Sequence, residues 1–203
     1  YSCVGEVVKV GDKVTGISVG DRVACGGAGY ANHSEINYVP RNLFVKVPEN
    51  VSDADASFVT VGSIALQGIR QTNPSLGEKV VVMGLGLLGQ ITVQLLKANG
   101  CKVLGTDFDP RKLELAKKLG ADEVCSPDKV IDKAKLFTNG NGADAVVIAA
   151  STSSSQPIAD AGEISRIKGR VIVVGLVGMD IPRTEYYKKE LELKLSMAYG
   201  PGR

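Results

Sequence analysis

Three glycines and one acid are the residues whose spacing points to chemistry. Gly84, Gly86 and Gly89 stand in G-L-G-L-L-G, and Asp107 follows about 18 residues after the last of them, close to the roughly 20 of a dinucleotide-binding unit. The chemistry would be recognition of a nucleotide diphosphate. The first glycine permits a tight turn, the second leaves bare backbone where phosphates can approach, and the third lets a helix pack on a sheet. The helix N-terminus then offers unpaired N–H groups to the anion. The acid would accept hydrogen bonds from the adenine-side ribose hydroxyls. A 2′-phosphate about 4 Å from that carboxylate would cost roughly 1–4 kcal/mol, so NAD is favoured over NADP. Lys112, one turn into the next helix, could reach the ribose or simply be a solvated face.

A lone glycine motif can also be nothing more than a strand turning into a helix, and a strand-end acid can be merely solvated. The context separates these readings. Val80–Met83 is a strand, and "QITVQLLKA" is a helix with an apolar face. Further strands are expected at Lys102–Thr106, Asp122–Cys125, Ala145–Ala149, Arg170–Val174 and Leu191–Met197. Helices are expected at Leu87–Ala98, Pro110–Leu119, Asp128–Phe137 and Gln156–Ile167. Asp109 is a natural N-cap before Pro110, Gly120 a left-handed C-terminal stop, and Ser155 with Pro157 opens the last helix. Apolar strands alternating with helices predict an α/β fold with a doubly wound, six-stranded parallel sheet. Residues 1–62 have a different rhythm. Short valine-rich segments broken by Gly11-Asp12 and Gly20-Asp21 suggest a small barrel or folded sheet, and Ser52 or Asp53 can cap a helix after it. The dinucleotide-binding unit is placed at 63–203.

Composition removes several function classes. The chain of 203 residues carries a formal charge of +2 and no tryptophan, so neither a basic field nor a stacking platform points to nucleic acid. No stretch approaches the roughly 20 apolar residues of a membrane span, and the first residues lack a secretion signal. A cytoplasmic protein is the expectation. Cys3, Cys25, Cys101 and Cys125 include no Cys-x-x-Cys pair and His33 is the sole histidine, so reduced thiols are expected rather than a metal site. Cys25 and His33 supply at most two ligands.

The ordered set of segments resembles the medium-chain dehydrogenase/reductase superfamily over nearly the whole chain. "YSCVGEVVKVGDKVTGISVGDRVA" is similar to part of its GroES-like half. "VVVMGLGLLGQITVQLLKANG", "VLGTDFDPRKLELAKKLGAD", "GADAVVIAAST" and "GRVIVVGLVG" resemble its Rossmann cofactor-binding half. The resemblance implies that Gly84, Gly86 and Gly89, with the backbone of Leu87 and Leu88, hold the pyrophosphate. It implies Asp107 and Lys112 for the adenosine ribose, Ala149 and Ala150 for the far side of the cofactor, and Val174, Gly175 and Leu176 beside the nicotinamide.

The departures imply a zinc-free branch. Tyr1 and Ser2 fall where zinc-dependent members carry His and Glu, no ligand type stands near Val61-Gly62, and "CGGAGYANH" leaves no room for a four-cysteine lobe. The implied activity is NAD(H)-dependent, zinc-independent hydride transfer between nicotinamide and an alcohol or carbonyl substrate. The alternatives are a non-catalytic NAD-binding module and a quinone or enone reductase. The catalytic residue is unassigned; Tyr1, Ser2, Tyr30, His33 and Thr60 are hydroxyl or imidazole candidates by alignment, and each also reads as structural. The resemblance implies a fragment that begins midway through the GroES-like half and stops just after the final cofactor-domain strand. The "YSCVG" and "AYGPGR" ends also resemble bacterial two-part proteins that fuse such a unit to a Gfo/Idh/MocA-type oxidoreductase. A small-molecule substrate is implied, and "ELELKLSMAYG" is a candidate homodimer edge through the last Rossmann strand.

Overall fold

The computed structural model describes residues 1–200. It divides into two compact units, one of Tyr1–Ser63 with the end of the described chain from Tyr199, the other of Ile64–Ala198. The last three positions of the 63–203 expectation lie outside the described residues.

The first unit is a three-stranded antiparallel sheet in the order β1 (Ser2–Glu6), β2 (Arg22–Gly26), β3 (Phe44–Lys46). Long turns separate the strands, so the stretch "SEINYV" forms no strand. Its small core is Val23, Cys25 and Ala31 with Cys3, Val7, Ile17, Val39 and Phe44 around them. A short helix α1 (Asp53–Ala56) follows, and Ser52 caps it by accepting the Asp55 N–H. Helix α2 (Val59–Thr72) carries the chain into the second unit.

The second unit alternates as expected. Its strands are β4 (Lys79–Met83), β5 (Lys102–Thr106), β6 (Glu123–Cys125), β7 (Ala143–Ile148), β8 (Ser165–Val173) and β9 (Glu192–Leu195), in the sheet order β6-β5-β4-β7-β8-β9. All neighbours pair in parallel. The order reverses between β4 and β7, which opens a crevice at their carboxyl ends. Successive side chains of β4 face opposite layers. Val80 and Val82 pack with Val93 and Leu96 of α3 (Leu87–Ala98) and Ala116 of α4 (Pro110–Lys118). Val81 and Met83 pack with Ala134 of α5 (Val130–Phe137) and Ile158 of α6 (Gln156–Ile164). Each such valine contributes about 1.5–3 kcal/mol by leaving water, which is why these strands read as unbroken apolar runs.

Helix α4 shows the expected punctuation. Asp109 accepts the Arg111 N–H, Pro110 sits at the first turn, and Gly120 at φ +109° closes the C-terminus with Ala121 donating back to the Ala116 carbonyl. The Arg111 side chain, bonded to the same carboxylate, is the largest cause holding the Asp109 pKa down to about 2. A carboxyl depressed in the fold stabilises it above the ordinary carboxylate range and loses that contribution as pH falls through the folded value. The capping interaction is therefore expected to persist down to about pH 2, read as the titration midpoint of the Asp109 carboxyl by NMR.

Two expectations need correction. The helix drawn to Ile167 stops at Ile164, because Ser165 is already the first residue of β8. Lys168 at φ +57° and Gly169 turn the chain inside that strand, so the apolar spacing of Ile164 and Ile167 does not belong to one helix. Ser155 stands at the N-terminus of α6 without capping it; the neighbouring Ser154 hydroxyl accepts the Gln156 N–H instead. A seventh helix, α7 (Arg183–Lys188), precedes β9.

Candidate functional site

The glycine turn lies between β4 and α3, at the crevice. Its three glycines are needed for three different reasons. Gly84 has φ +89°, and a Cβ there would lie 2.7 Å from the Ala150 backbone. A Cβ on Gly89 would fall on the Gly84 carbonyl oxygen. A Cβ on Gly86 would meet nothing within 4 Å. The turn therefore closes on itself at Gly84 and Gly89 and opens outward at Gly86. Helix α3 starts there without a side-chain cap, which leaves its first N–H groups to whatever occupies the opening.

Leu85 does not plug that opening. Its side chain is 1% exposed and points into the α3–α4 layer, where a Cβ on Gly105 of β5 would be 3.1 Å from it. A large apolar side chain inside a glycine turn, facing a glycine on the next strand, was a readable sign of this packing.

Asp107 directly follows β5 and turns towards the glycine loop. One carboxylate oxygen accepts the Leu85 N–H at 2.8 Å and the other the Asp109 N–H at 2.9 Å. The Lys112 ammonium stands 3.6 Å from it. Each oxygen keeps a second lone pair for a further donor. Gln90 adds a brace that the spacing did not reveal. Its amide nitrogen donates to the carbonyls of Leu85 and Lys112, tying the loop to α4. A glutamine on the buried face of α3 was the available signal.

The far wall is built from backbone. Ala149 donates to the Met83 carbonyl at 2.8 Å, and Gly175 to the Ile148 carbonyl at 2.9 Å. A Cβ on Gly175 would collide with the Ala150 carbonyl, and Ser151 bridges Leu176 in parallel. Gly84, Ala149, Ala150, Gly175 and Leu176 thus meet at the ends of β4, β7 and β8. Val174 is the exception among the expected residues: its side chain packs into the α3–α4 layer and stands against Gly68 of α2.

In the first unit, two of the hydroxyl candidates are already engaged. Ser2 donates to the Ser57 carbonyl at 2.5 Å and Thr60 to the Cys25 carbonyl at 3.2 Å. Tyr1, Tyr30 and His33 are exposed. Among the described residues no three His, Cys, Asp or Glu side chains come together as metal ligands. No helix among them is long and apolar enough to cross a membrane.

The sequence from residue 88 to 203, more than half of the chain, matches the family described as zinc-binding dehydrogenase. The chain belongs to that family. Among its relatives is D-guloside 3-dehydrogenase of Escherichia coli K12, 34% identical over 71% of this chain and 42% of its own length. The alcohol dehydrogenase of Geobacillus stearothermophilus is 32% identical over 88% of this chain and 61% of its own. The chain thus spans less than two thirds of either relative. A mycobacterial protein solved in complex with NADPH superposes with a TM-score of 0.82 at 26% identity, covering 95% of this chain and 62% of that one.

Proposed function

We propose that this chain carries the cofactor-binding part of an oxidoreductase that moves a hydride, without zinc, between NAD(H) and an alcohol or carbonyl substrate. The observation that carries the reading is Gly86, an uncapped helix start beside open space, with the Asp107 carboxylate held at the same mouth. The backbone of Gly84, Gly86, Leu87, Leu88 and Gly89 would hold the diphosphate. Asp107 and Lys112 would hold the adenosine ribose, Ala149 and Ala150 would line the far side of the cofactor, and Gly175 and Leu176 would stand beside the nicotinamide. The nicotinamide would supply the hydride chemistry; the protein would supply position and exclude water. The dehydrogenases among the relatives support an alcohol-type small-molecule substrate.

Asp107 favours NAD, because a 2′-phosphate would sit against a carboxylate whose oxygens already accept two N–H bonds. Titrating the chain with NADH and NADPH, followed by calorimetry, is expected to give tighter NADH binding by roughly tenfold or more, equivalent to about 1.4 kcal/mol. Equal or tighter NADPH binding would remove the preference, and the NADPH complex of the mycobacterial relative makes that a real contest.

We also propose that a second copy docks on β9, which among the described residues pairs on one side only, with β8. Leu195 on this edge is 65% exposed. The wild type is expected to sediment as a dimer and Leu195→Glu as a monomer; a monomeric wild type would end this proposal.

A further inference from the structure

The first unit holds a feature that the cofactor site does not use. Cys3 of β1 and Cys25 of β2 are direct cross-strand partners in the antiparallel register. Directly opposed residues project to the same face of a sheet, and both sulfurs belong to one small apolar cluster. The backbone bonds of Gly27 to Tyr1 and of Val7 to Asp21 place Cys3–Cys25 in the hydrogen-bonded class of pairs, with Cα atoms about 5.5 Å apart. That spacing lies within the roughly 4.4–6.8 Å range of disulfides. Both thiols are free. They line a cleft of about 310 Å³ together with Val7, Ile17, Val39 and Phe44, which admits a small oxidant.

The two sulfurs are not equivalent. Cys3 is half-buried, and its sulfur accepts a weak hydrogen bond from the Asn37 amide at 3.8 Å. Cys25 is buried; loss of solvent, and after it the neighbouring Cys3, pushes its pKa up to about 11. The thiolate is the nucleophile that attacks a peroxide, and the pair has one accessible sulfur and one protonated neighbour beside it.

We propose that Cys3 and Cys25 form a redox site that a peroxide closes to a cross-strand disulfide. The Cys3 thiolate attacks one peroxide oxygen, the O–O bond breaks, and hydroxide leaves as Cys3 becomes a sulfenic acid. The Cys25 sulfur then attacks the Cys3 sulfur. The S–S bond forms, the S–O bond breaks, and the Cys25 proton leaves with the hydroxyl group as water. Two thiols are oxidised by two electrons and the peroxide is reduced. A thiol reductant reverses the step by exchange. Cys101 and Cys125 are buried in the second unit and face no cysteine across a strand, so they serve as internal controls.

The test is treatment of the full chain with hydrogen peroxide, followed by peptide mass mapping. A Cys3–Cys25 crosslinked peptide lighter by two hydrogens and restored by dithiothreitol is expected, with Cys101 and Cys125 still thiols. Cys25→Ser should accumulate a Cys3 sulfenic acid that dimedone traps, and Cys3→Ser should form no internal crosslink. A wild type in which Cys3 stays a thiol, or advances to sulfinic acid without the crosslink, overturns the proposal. The wild-type map decides the matter even if a serine variant folds poorly.

Discussion

Arg170→Ala is expected to cost the second unit about 3 kcal/mol, the lower end of the cost of stranding one partner of a buried ion pair, because this pair is largely but not fully buried. The Arg170 side chain is 12% exposed and pairs with Glu78 at 2.7 Å. It also donates to the carbonyls of Thr72 and Asn73 at the end of α2 and to that of Asp144 at the start of β7. Removing it leaves three carbonyls and a carboxylate short of a donor in one place. Since a domain is stable by only about 5–15 kcal/mol, the denaturant midpoint should fall by a large fraction. Lys168→Ala, which breaks the exposed pair with Glu190, should leave the midpoint within error because exposed pairs contribute little. Equal effects from the two substitutions would contradict this account of what holds the base of the sheet.

The second large effect separates two glycines of the same turn. Gly89→Ala places a methyl on the Gly84 carbonyl oxygen, and the backbone on both sides is fixed by the sheet and by α3. A forced fit of that kind is expected to cost about 3 kcal/mol, at the upper end for overpacking. Gly86→Ala meets no atom within 4 Å. Its stability cost is expected to stay within about 1 kcal/mol, the scale of changing a helix N-cap. The methyl would nevertheless occupy the space proposed for the diphosphate, so Gly86→Ala should lose NADH affinity while keeping its unfolding midpoint. Calorimetric titration and denaturant unfolding on the same two variants read both quantities. Loss of stability in Gly86→Ala, or its absence in Gly89→Ala, would reverse the assigned roles.

The contrast shows what was legible in the residues. Val80–Val82, the glycine spacing and the charged α4 stretch marked out β4, α3, β5 and α4 because local pattern and tertiary role agree there. Six parallel strands followed from the same rhythm. The boundary at Ser165 was not legible: Ile164 and Ile167 keep a helical spacing, and only Lys168 in a left-handed conformation shows that the chain has turned. The polar braces were hidden for a related reason. Nothing in a one-dimensional pattern says that Asp107 reaches back to Leu85, that Gln90 spans to Lys112, or that Arg170 gathers the end of α2, Glu78 just before β4, and β7, because each joins residues that only the fold makes neighbours. In the first unit, turns outnumber strand residues and periodicity carried little information. The Cys3–Cys25 register depends on a pairing that the spacing of the cysteines does not encode.

The most direct measurement is NADH binding to the wild type and to Gly86→Val, with the unfolding midpoint of each recorded alongside. Saturable binding to the wild type, weakened at least tenfold (about 1.4 kcal/mol) in a variant that remains folded, is the expected result. A wild type that does not bind NADH, or a folded Gly86→Val that binds it equally well, would mean that this mouth of bare backbone does not receive the diphosphate.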